Sequence, residues 1–419
     1  MCRKTFLFFS FFLSLVSLSH AQLVEQCTAD AFRNNSLIDH PELANIRATT
    51  NQIISEYELS GVNSRELLII PVVFHIVYYA EVENVTNQQV FSQVAALNRD
   101  FRKKNANFTK VHEDFKKVSA DVEIEFCLAG KDPFGNETSG ITRTQTPYSK
   151  IGRKINAGDG RPSIFYSSLG GKDAWDTEKY LNIWVCKIGD NILGRASFPG
   201  TAIADEDGVL IDYEAFGSIG TAKSPNHLGK TLSHEIGHYL NLEHVWGNII
   251  GDCTIDDGIE DTPFQERPTS GCPFERRVSC GSFDMFNDYM DYSTDECLAM
   301  FSNGQKNRMR ATLETVRKEL LNSNVCNKII VESPLDDIVL RPNPANDELL
   351  ISLEETNIFE VSITIYNVFG QVILTEKTAF FPGDYLVDVS FFPEGIYFVE
   401  LSSSDNQLVR KLIVHHKGK

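Results

Sequence analysis

Thr231-Leu232-Ser233-His234-Glu235-Ile236-Gly237-His238-Tyr239-Leu240-Asn241-Leu242-Glu243-His244 is the stretch from which the rest of this chain is read. On a helix, His234 and His238 stand one turn apart and project their imidazoles from one face. Two neutral imidazoles so placed can hold Zn2+. Glu235 lies beside them, within reach of a proton on a water at the metal. His244 supplies a third ligand if the helix stops soon after His238 and the chain turns back. The fourth position then stays open, as catalysis requires. A histidine pair on an apolar helix face is otherwise ordinary core; a third histidine at this distance sets that reading aside.

The chain has 419 residues, 42% hydrophobic and 23% charged, the composition of a folded protein of two or three domains. A formal net charge of -18 and a pI near 5.0 argue against a nucleic-acid partner. Arg3-Lys4, the apolar run from Phe6 to Leu18 and Ser19-His20-Ala21 read as a secretory signal peptide over 1–21. No Cys follows Ala21 directly, which speaks against a lipid anchor, and no later stretch is long and apolar enough to be a transmembrane segment. Of nine cysteines, Cys2 falls in the signal, leaving eight in a secreted, disulfide-permissive chain. Cys253, Cys272, Cys280 and Cys297 cluster in a loop-rich region after the histidine motif, and spacing leaves three pairings open.

Residues 22–65 are mostly polar. Leu43, Ile46, Ile53 and Ile54 form one thin apolar helix face, too little for a core. Ahead of a secreted hydrolase this reads as a pro-segment cut near a basic residue, with Arg65 preferred and Arg47 the alternative. Cys27 is a possible latency switch that caps the metal as a thiolate; a disulfide or an idle cysteine weighs equally.

Val72 to Tyr78 is a β-branched, aromatic run that reads as a strand buried on both faces, with Pro71 at or near its first residue and His75 as core. Val90 to Arg102 has helical spacing and should back the sheet. Further strands are expected over Val122–Leu128, Gly140–Arg143, Leu181–Cys186 and Gly208–Tyr213, with Leu193–Gly200 at the sheet edge. The histidine helix is expected to open at Ser224-Pro225. Trp246 to Cys326 is rich in Gly, Asp, Asn, Pro and Cys, with one late helix from Gly304 to Leu321. The class is therefore α+β over 66–326: a twisted mixed sheet with backing and active-site helices above an irregular lower subdomain. A linker at 327–335 precedes short strands at Leu349–Leu353, Ser362–Tyr366, Tyr385–Val389, Ile396–Leu401 and Leu408–Val414, which make residues 336–419 a small all-β sandwich.

Asn287-Asp288-Tyr289-Met290-Asp291-Tyr292 places a Met in a tight turn with a Tyr two residues on, and resembles the Met-turn of metzincins. Together with H-E-x-x-H-x-x-N-x-x-H, it makes about 65–325 similar to the pappalysin branch of the metzincin zinc metalloproteases. The cytophagalysin-like members are nearer still. Pro71 to Val77, Phe126–Ala129, Asn182–Val185, Cys297 and Met300-Phe301 join the resemblance. It implies zinc on His234, His238 and His244, Glu235 as general base, Met290 as a hydrophobic pedestal, and Tyr292 as a stabiliser of the tetrahedral oxyanion. It implies disulfides Cys253–Cys280 and Cys272–Cys297, and structural calcium near Asp252 to Asp261 and the Met-turn. The implied activity is that of a zinc endopeptidase that hydrolyses peptide bonds of proteins through a zinc-bound water activated by Glu235. The family's usual Gly at the helix end is Asn241 here; the site needs a left-handed backbone, which Asn tolerates better than most residues. Cys27 is followed by Thr28 rather than the Gly of family pro-segments.

Arg341-Pro342-Asn343-Pro344-Ala345, Ile365 to Gln371, Pro393 to Val399 and Lys411 to Val414 resemble the C-terminal sorting domain of type IX secretion. That resemblance implies the type IX machinery as a partner, a Bacteroidetes-type bacterium, and a product secreted or held at the outer-membrane surface. Protein or peptide substrates are the other expected partners, and the enzyme is expected to be a monomer. The alternative from another class is a surface-exposed binding protein on an inactive protease fold, with the tail as a binding module. It would require a missing Glu or His, and the motif is complete.

Overall fold

The computed structural model describes residues 27–61, 66–273, 277–326, 338–353, 359–380, 383–402 and 407–416. The expected signal peptide, the cut at Arg65 and the linker at 327–335 lie outside the described residues.

Among the described residues two helices come first, α1 (Ala29–Asp39) and α2 (Leu43–Leu59). Of these, α1 is not legible in the sequence: Ala29 and Ser36 are its only buried residues, so it carries no apolar stripe and is held by contacts made elsewhere in the chain.

The sheet is built on β1 (Leu68–Tyr78), which is buried at nine of its eleven positions. A strand covered on both faces reads as a near-continuous apolar run, which is why the alternation typical of half-exposed strands is missing. Helix α3 (Asn87–Phe101) follows, capped by the Thr86 side chain accepting from Gln89 N at 3.2 Å. Val90, Val94, Leu97 and Phe101 share one face of it and enter the main core. The single-turn α4 (Glu113–Lys116) leads to β2 (Ile124–Leu128) and β3 (Ile141–Gln145), both parallel to β1. β4 (Leu181–Cys186) is also parallel to β1. β5 (Gly194–Ala196) forms the edge, antiparallel to β6 (Val209–Asp212), giving the order β2-β1-β4-β6-β5.

Three local expectations need correction. Pro71 is the fourth residue of β1 rather than its first. Pairing with β4 begins only at Val72, so one flank of the strand has no ladder at Pro71 for a missing donor to break. The histidine helix α5 (Lys230–Tyr239) opens well after Ser224-Pro225. Gly229, at φ +80°, turns the chain, and the Asp295 carboxylate accepts from Leu228 N (2.6 Å) and Lys230 N (3.5 Å). A carboxylate from far along the chain thus does the work of an N-cap. The late helix is two pieces, α6 (Asn303–Glu314) and α7 (Glu319–Asn322). The break frees Arg317 to reach Asp207 with both Nη atoms (2.7 and 2.9 Å) and to lie over the Tyr239 ring.

Between α5 and α6 the described residues are irregular apart from β7 (Val278–Ser279) and β8 (Ser282–Phe283). Disulfides join Cys253 to Cys280 and Cys272 to Cys297 there, and a third joins Cys127 to Cys326. Further on, β9 (Val339–Arg341), β10 (Glu348–Leu353) and β13 (Gly383–Asp388) form one antiparallel sheet. β11 (Phe359–Asn367), β12 (Val372–Phe380), β14 (Gly395–Ser402) and β15 (Gln407–Val414) form another. Leu349, Ile351 and Val387 of the first share a core with Ile363, Ile365, Val399 and Leu412 of the second, making a sandwich.

Candidate active site

Every residue of α5 is buried. The helix is tied to α3 by the Lys230 ammonium against the Asp100 carboxylate, whose other oxygen accepts from Ser233 Oγ at 2.6 Å. Removing either partner would strand a buried charge. Helix α5 ends at Tyr239, and Asn241 takes φ +74°. Leu242 N then bonds back to Gly237 O at 2.9 Å, and the chain reverses toward His244.

The three imidazoles converge. His234 Nε2 and His244 Nε2 lie 3.1 and 3.2 Å from His238 Nε2. His234 Nδ1 meets the Tyr289 carbonyl at 2.7 Å, and His238 Nδ1 meets the Leu242 carbonyl at 2.7 Å. A carbonyl only accepts, so both Nδ1 atoms carry the proton and both Nε2 atoms present bare lone pairs. Burial holds His234 down, to about 3, and His238 well below the ordinary imidazole value, with neighbouring imidazoles adding to the effect. Neutral lone pairs facing one another at 3.1 Å cannot bond to each other. They fit a soft-to-borderline cation with nitrogen ligands, which is the zinc donor set.

Met290 lies directly under the helix: a Cβ on Gly237 would stand 2.3 Å from Met290 Sδ. The turn carrying Met290 also supplies the Tyr289 carbonyl that orients His234. Tyr292 packs near His234 and His244, with ring centroids at 5.7 and 5.1 Å, and Trp246 stacks on His244 at 4.4 Å. Above the helix, edge strand β5 passes so near Glu235 that a Cβ on Gly194 would meet Glu235 Oε1 at 2.6 Å. Glu235 is fully buried. That burial pushes its carboxyl up to about 8.

Cys27 enters this cluster. Its Sγ and the three histidine nitrogens all lie within 4.8 Å of one another, and the thiol reaches Glu235 Oε2 at 3.5 Å. Cys27 pairs with Gly194 in a parallel bridge, Thr28 N bonds to Gly194 O at 3.2 Å, and Tyr292 Oη donates to the Cys27 carbonyl at 3.2 Å. The N-terminal stretch thus lies along the edge strand, over the histidines. Asp30 Oδ2 meets His244 Nδ1 at 3.3 Å, Arg33 reaches Glu243, and Arg47 reaches Asn241. Sequence reasoning missed these three partners, because nothing local marks a polar helical residue as facing a site some two hundred residues away.

A recess opens beside His234. It is lined by Asn226, Thr231, Ser293, Asp295 and Leu298, together with Cys27 and Tyr292. Burial pushes Asp295 up to about 6. Beneath the Met-turn, Asp257 Oδ2 and Asp288 Oδ2 are buried and have no hydrogen-bond partner. Burial raises Asp257 to about 7 and Asp288 well above its ordinary value, with Asp256 adding to the first shift and Asp257 to the second. Cys186, which spacing left unassigned, is buried and unpaired.

An α+β domain with three converging imidazoles, a buried glutamate beside them and a methionine turn below has the architecture of a metzincin metalloendopeptidase. Residues 166–314 match the pregnancy-associated plasma protein-A family, and residues 340–415 match the secretion system C-terminal sorting domain. An extracellular metalloprotease of Verticillium alfalfae is 31% identical over 275 residues, covering 62% of this chain and 81% of that protein. One of Arthroderma gypseum is 30% identical, covering 57% of this chain and 69% of its own length. Among solved structures, Tannerella forsythia mature mirolysin, in complex with a cleaved peptide, is 40% identical with a TM-score of 0.59. It covers 63% of this chain and is itself covered in full. A Tannerella forsythia promirolysin mutant is 35% identical with a TM-score of 0.62, covering 71% of this chain and 97% of its own. The chain belongs to the pregnancy-associated plasma protein-A family of metalloproteases. It is a secreted, zinc-dependent endopeptidase with a sorting domain of the secretion-system type.

Proposed function

We infer that His234, His238 and His244 hold the zinc, and that Glu235 is the general base and acid of peptide hydrolysis. The observation that carries this is the convergence of three Nε2 atoms, two of them on rings whose orientation is set by backbone carbonyls. Zinc bound there supplies Lewis acidity toward a peptide carbonyl and toward water. Glu235 takes the proton of the attacking water on a carboxylate oxygen and returns it to the leaving amine. Tyr292 Oη, which meets the Cys27 carbonyl in the full chain, donates to the substrate carbonyl oxygen as charge develops on it. Met290 fills the space under the helix, and Asn241 is the pivot that presents His244.

Residues 22–65 act as a pro-segment, 66–326 as the catalytic domain and 336–419 as the sorting domain. Cys27 supplies the thiol that caps the metal before activation, supported by its place among the histidines. Asp295 in the recess beside His234 favours a basic side chain next to the scissile bond. Calcium is held at Asp257 and Asp288, supported by their unpaired buried oxygens. One chain supplies every residue of the site, in keeping with a monomer. The tail fits a Bacteroidetes-type bacterium whose type IX machinery delivers the enzyme to the outer-membrane surface or beyond. The whole reading is tested by zinc content and peptide cleavage in His238→Ala, which should lose both. A variant that kept its zinc would sink the ligand assignment.

A further inference from the structure

Phe198 stands beside the histidine cluster, its ring 5.1 Å from that of His238. It is fully buried, and the N-terminal stretch does much of the burying. Cys27 and Ala29 pack on it, and the guanidinium groups of Arg33 and Arg47 lie over its ring at 4.5 and 5.2 Å. The polar atoms that meet these arginines around Phe198 are acceptors. Glu243 Oε1 takes Arg33 Nη1 at 2.6 Å and has Arg47 Nη2 at 3.8 Å. Asn241 Oδ1 and the Pro199 carbonyl take Arg47 Nη1 at 2.5 and 3.1 Å. Glu243 Oε2 is buried with no hydrogen-bond partner.

An aromatic face rimmed by a carboxylate, an amide oxygen and a carbonyl matches a guanidinium on both counts. The ring attracts the cation from below, and the oxygens accept from its planar fork of donors. An ammonium has no such fork and fits less well. Phe198, Pro199, Asn241 and Glu243 all lie beyond residue 65, whereas Arg33 and Arg47 lie before it. When the N-terminal segment is cut away, the acceptors and the ring stay with the enzyme and both arginines leave.

We propose that Phe198, Pro199, Asn241 and Glu243 form an arginine-binding subsite of the mature enzyme, which takes a guanidinium from the protein substrate, and which the N-terminal segment keeps shut with its own arginines. This rests on the reading of residues 22–65 as a removable pro-segment. The subsite shares no residue with the recess containing Asp295, so it adds a second point of substrate selection. Arginine-rich protein segments are the class it favours.

The test uses the full chain processed to its mature form, and peptides identical at the residues flanking the scissile bond. A single arginine is walked along positions farther out, each peptide having a partner with citrulline there, which keeps the shape and removes the charge. At one or more positions the arginine peptide should show a KM about tenfold lower than its citrulline partner. The ratio should fall to about one in Glu243→Gln. Binding of the same pairs to the mature Glu235→Ala variant, by fluorescence anisotropy, should give the same ratios without turnover. A ratio near one at every position in the unaltered enzyme overturns the subsite, as does a ratio that survives Glu243→Gln. Absence of cleavage in the unaltered enzyme would instead count against the protease reading, with the binding ratio still deciding the subsite.

Discussion

Arg47 Nη1 donates a 2.5 Å hydrogen bond to Asn241 Oδ1, the side chain of the residue whose φ of +74° carries the chain from His238 to His244. The backbone turn that completes the histidine cluster is therefore also a grip point for the N-terminal helices. Arg47 lies within α2 with its guanidinium engaged, so a protease that needs extended backbone does not find it first. That favours the other basic site, Arg65, for the initial cut.

Asn241 thus has two separable duties. Asn241→Gly tolerates the left-handed backbone but removes the acceptor for Arg47. The mature activity on a peptide without an outlying arginine should stay within about twofold, while trypsin converts the full chain several times faster. Asn241→Val forces a β-branched residue into that conformation at a cost of about 1–2 kcal/mol and should lower zinc content. Metal analysis and activation half-times read the two effects, and full zinc content in the Val variant would remove the pivot role.

Glu235→Ala should reduce peptide cleavage by about 10²–10⁴-fold or more while zinc remains bound at one per chain. Activity near that of the unaltered enzyme would show that another group carries the proton.

Cys27→Ala should let the uncut chain hydrolyse a short peptide, because it removes the ligand atom that the segment places among the histidine nitrogens. In the uncut native chain, Cys27 should resist alkylation for hours, being buried against Phe198. Rapid alkylation, or a silent Cys27→Ala precursor, would count against the switch.

Asp257 provides a pH signature. Its carboxyl is pushed up to about 7 by burial, so between about pH 4 and pH 7 the folded protein holds a proton that the unfolded chain has released. Stability from this group is present at low pH and is lost as pH rises through 7, by a few kcal/mol at most. In chelator, the melting temperature should fall between pH 5 and pH 8. Calcium should restore it most at the higher pH, where Asp257 is charged. Asp257→Asn should flatten both responses, and a calcium effect that survives in that variant would place the ion elsewhere.

The disulfide between Cys127 and Cys326 closes a loop with a sequence separation of 199, joining the end of β2 to the end of the catalytic region. Replacing both cysteines with Ser should cost about 2–5 kcal/mol by denaturant titration, with the zinc site intact.

The sequence by itself brought out the histidine motif and its glutamate, the main sheet strands and the sorting tail. These rest on local periods: four residues between His234 and His238 make one helical face, and apolar runs such as Val72–Tyr78 make buried strands. It could not reveal the true start of α5, because the group that caps it is Asp295, far along the chain. Nor could it reveal that Gly194 must lack a side chain to let Glu235 stand under the edge strand. Helix α1 was invisible because it buries almost nothing apolar and is held by polar contacts. Only the tertiary structure put Cys27 against Glu235, at a separation of 208 residues, and Arg47 on Asn241, at 194. Such pairings follow from how the sheet, the active-site helix and the N-terminal helices pack, and no repeat in a single sequence records which distant polar groups meet.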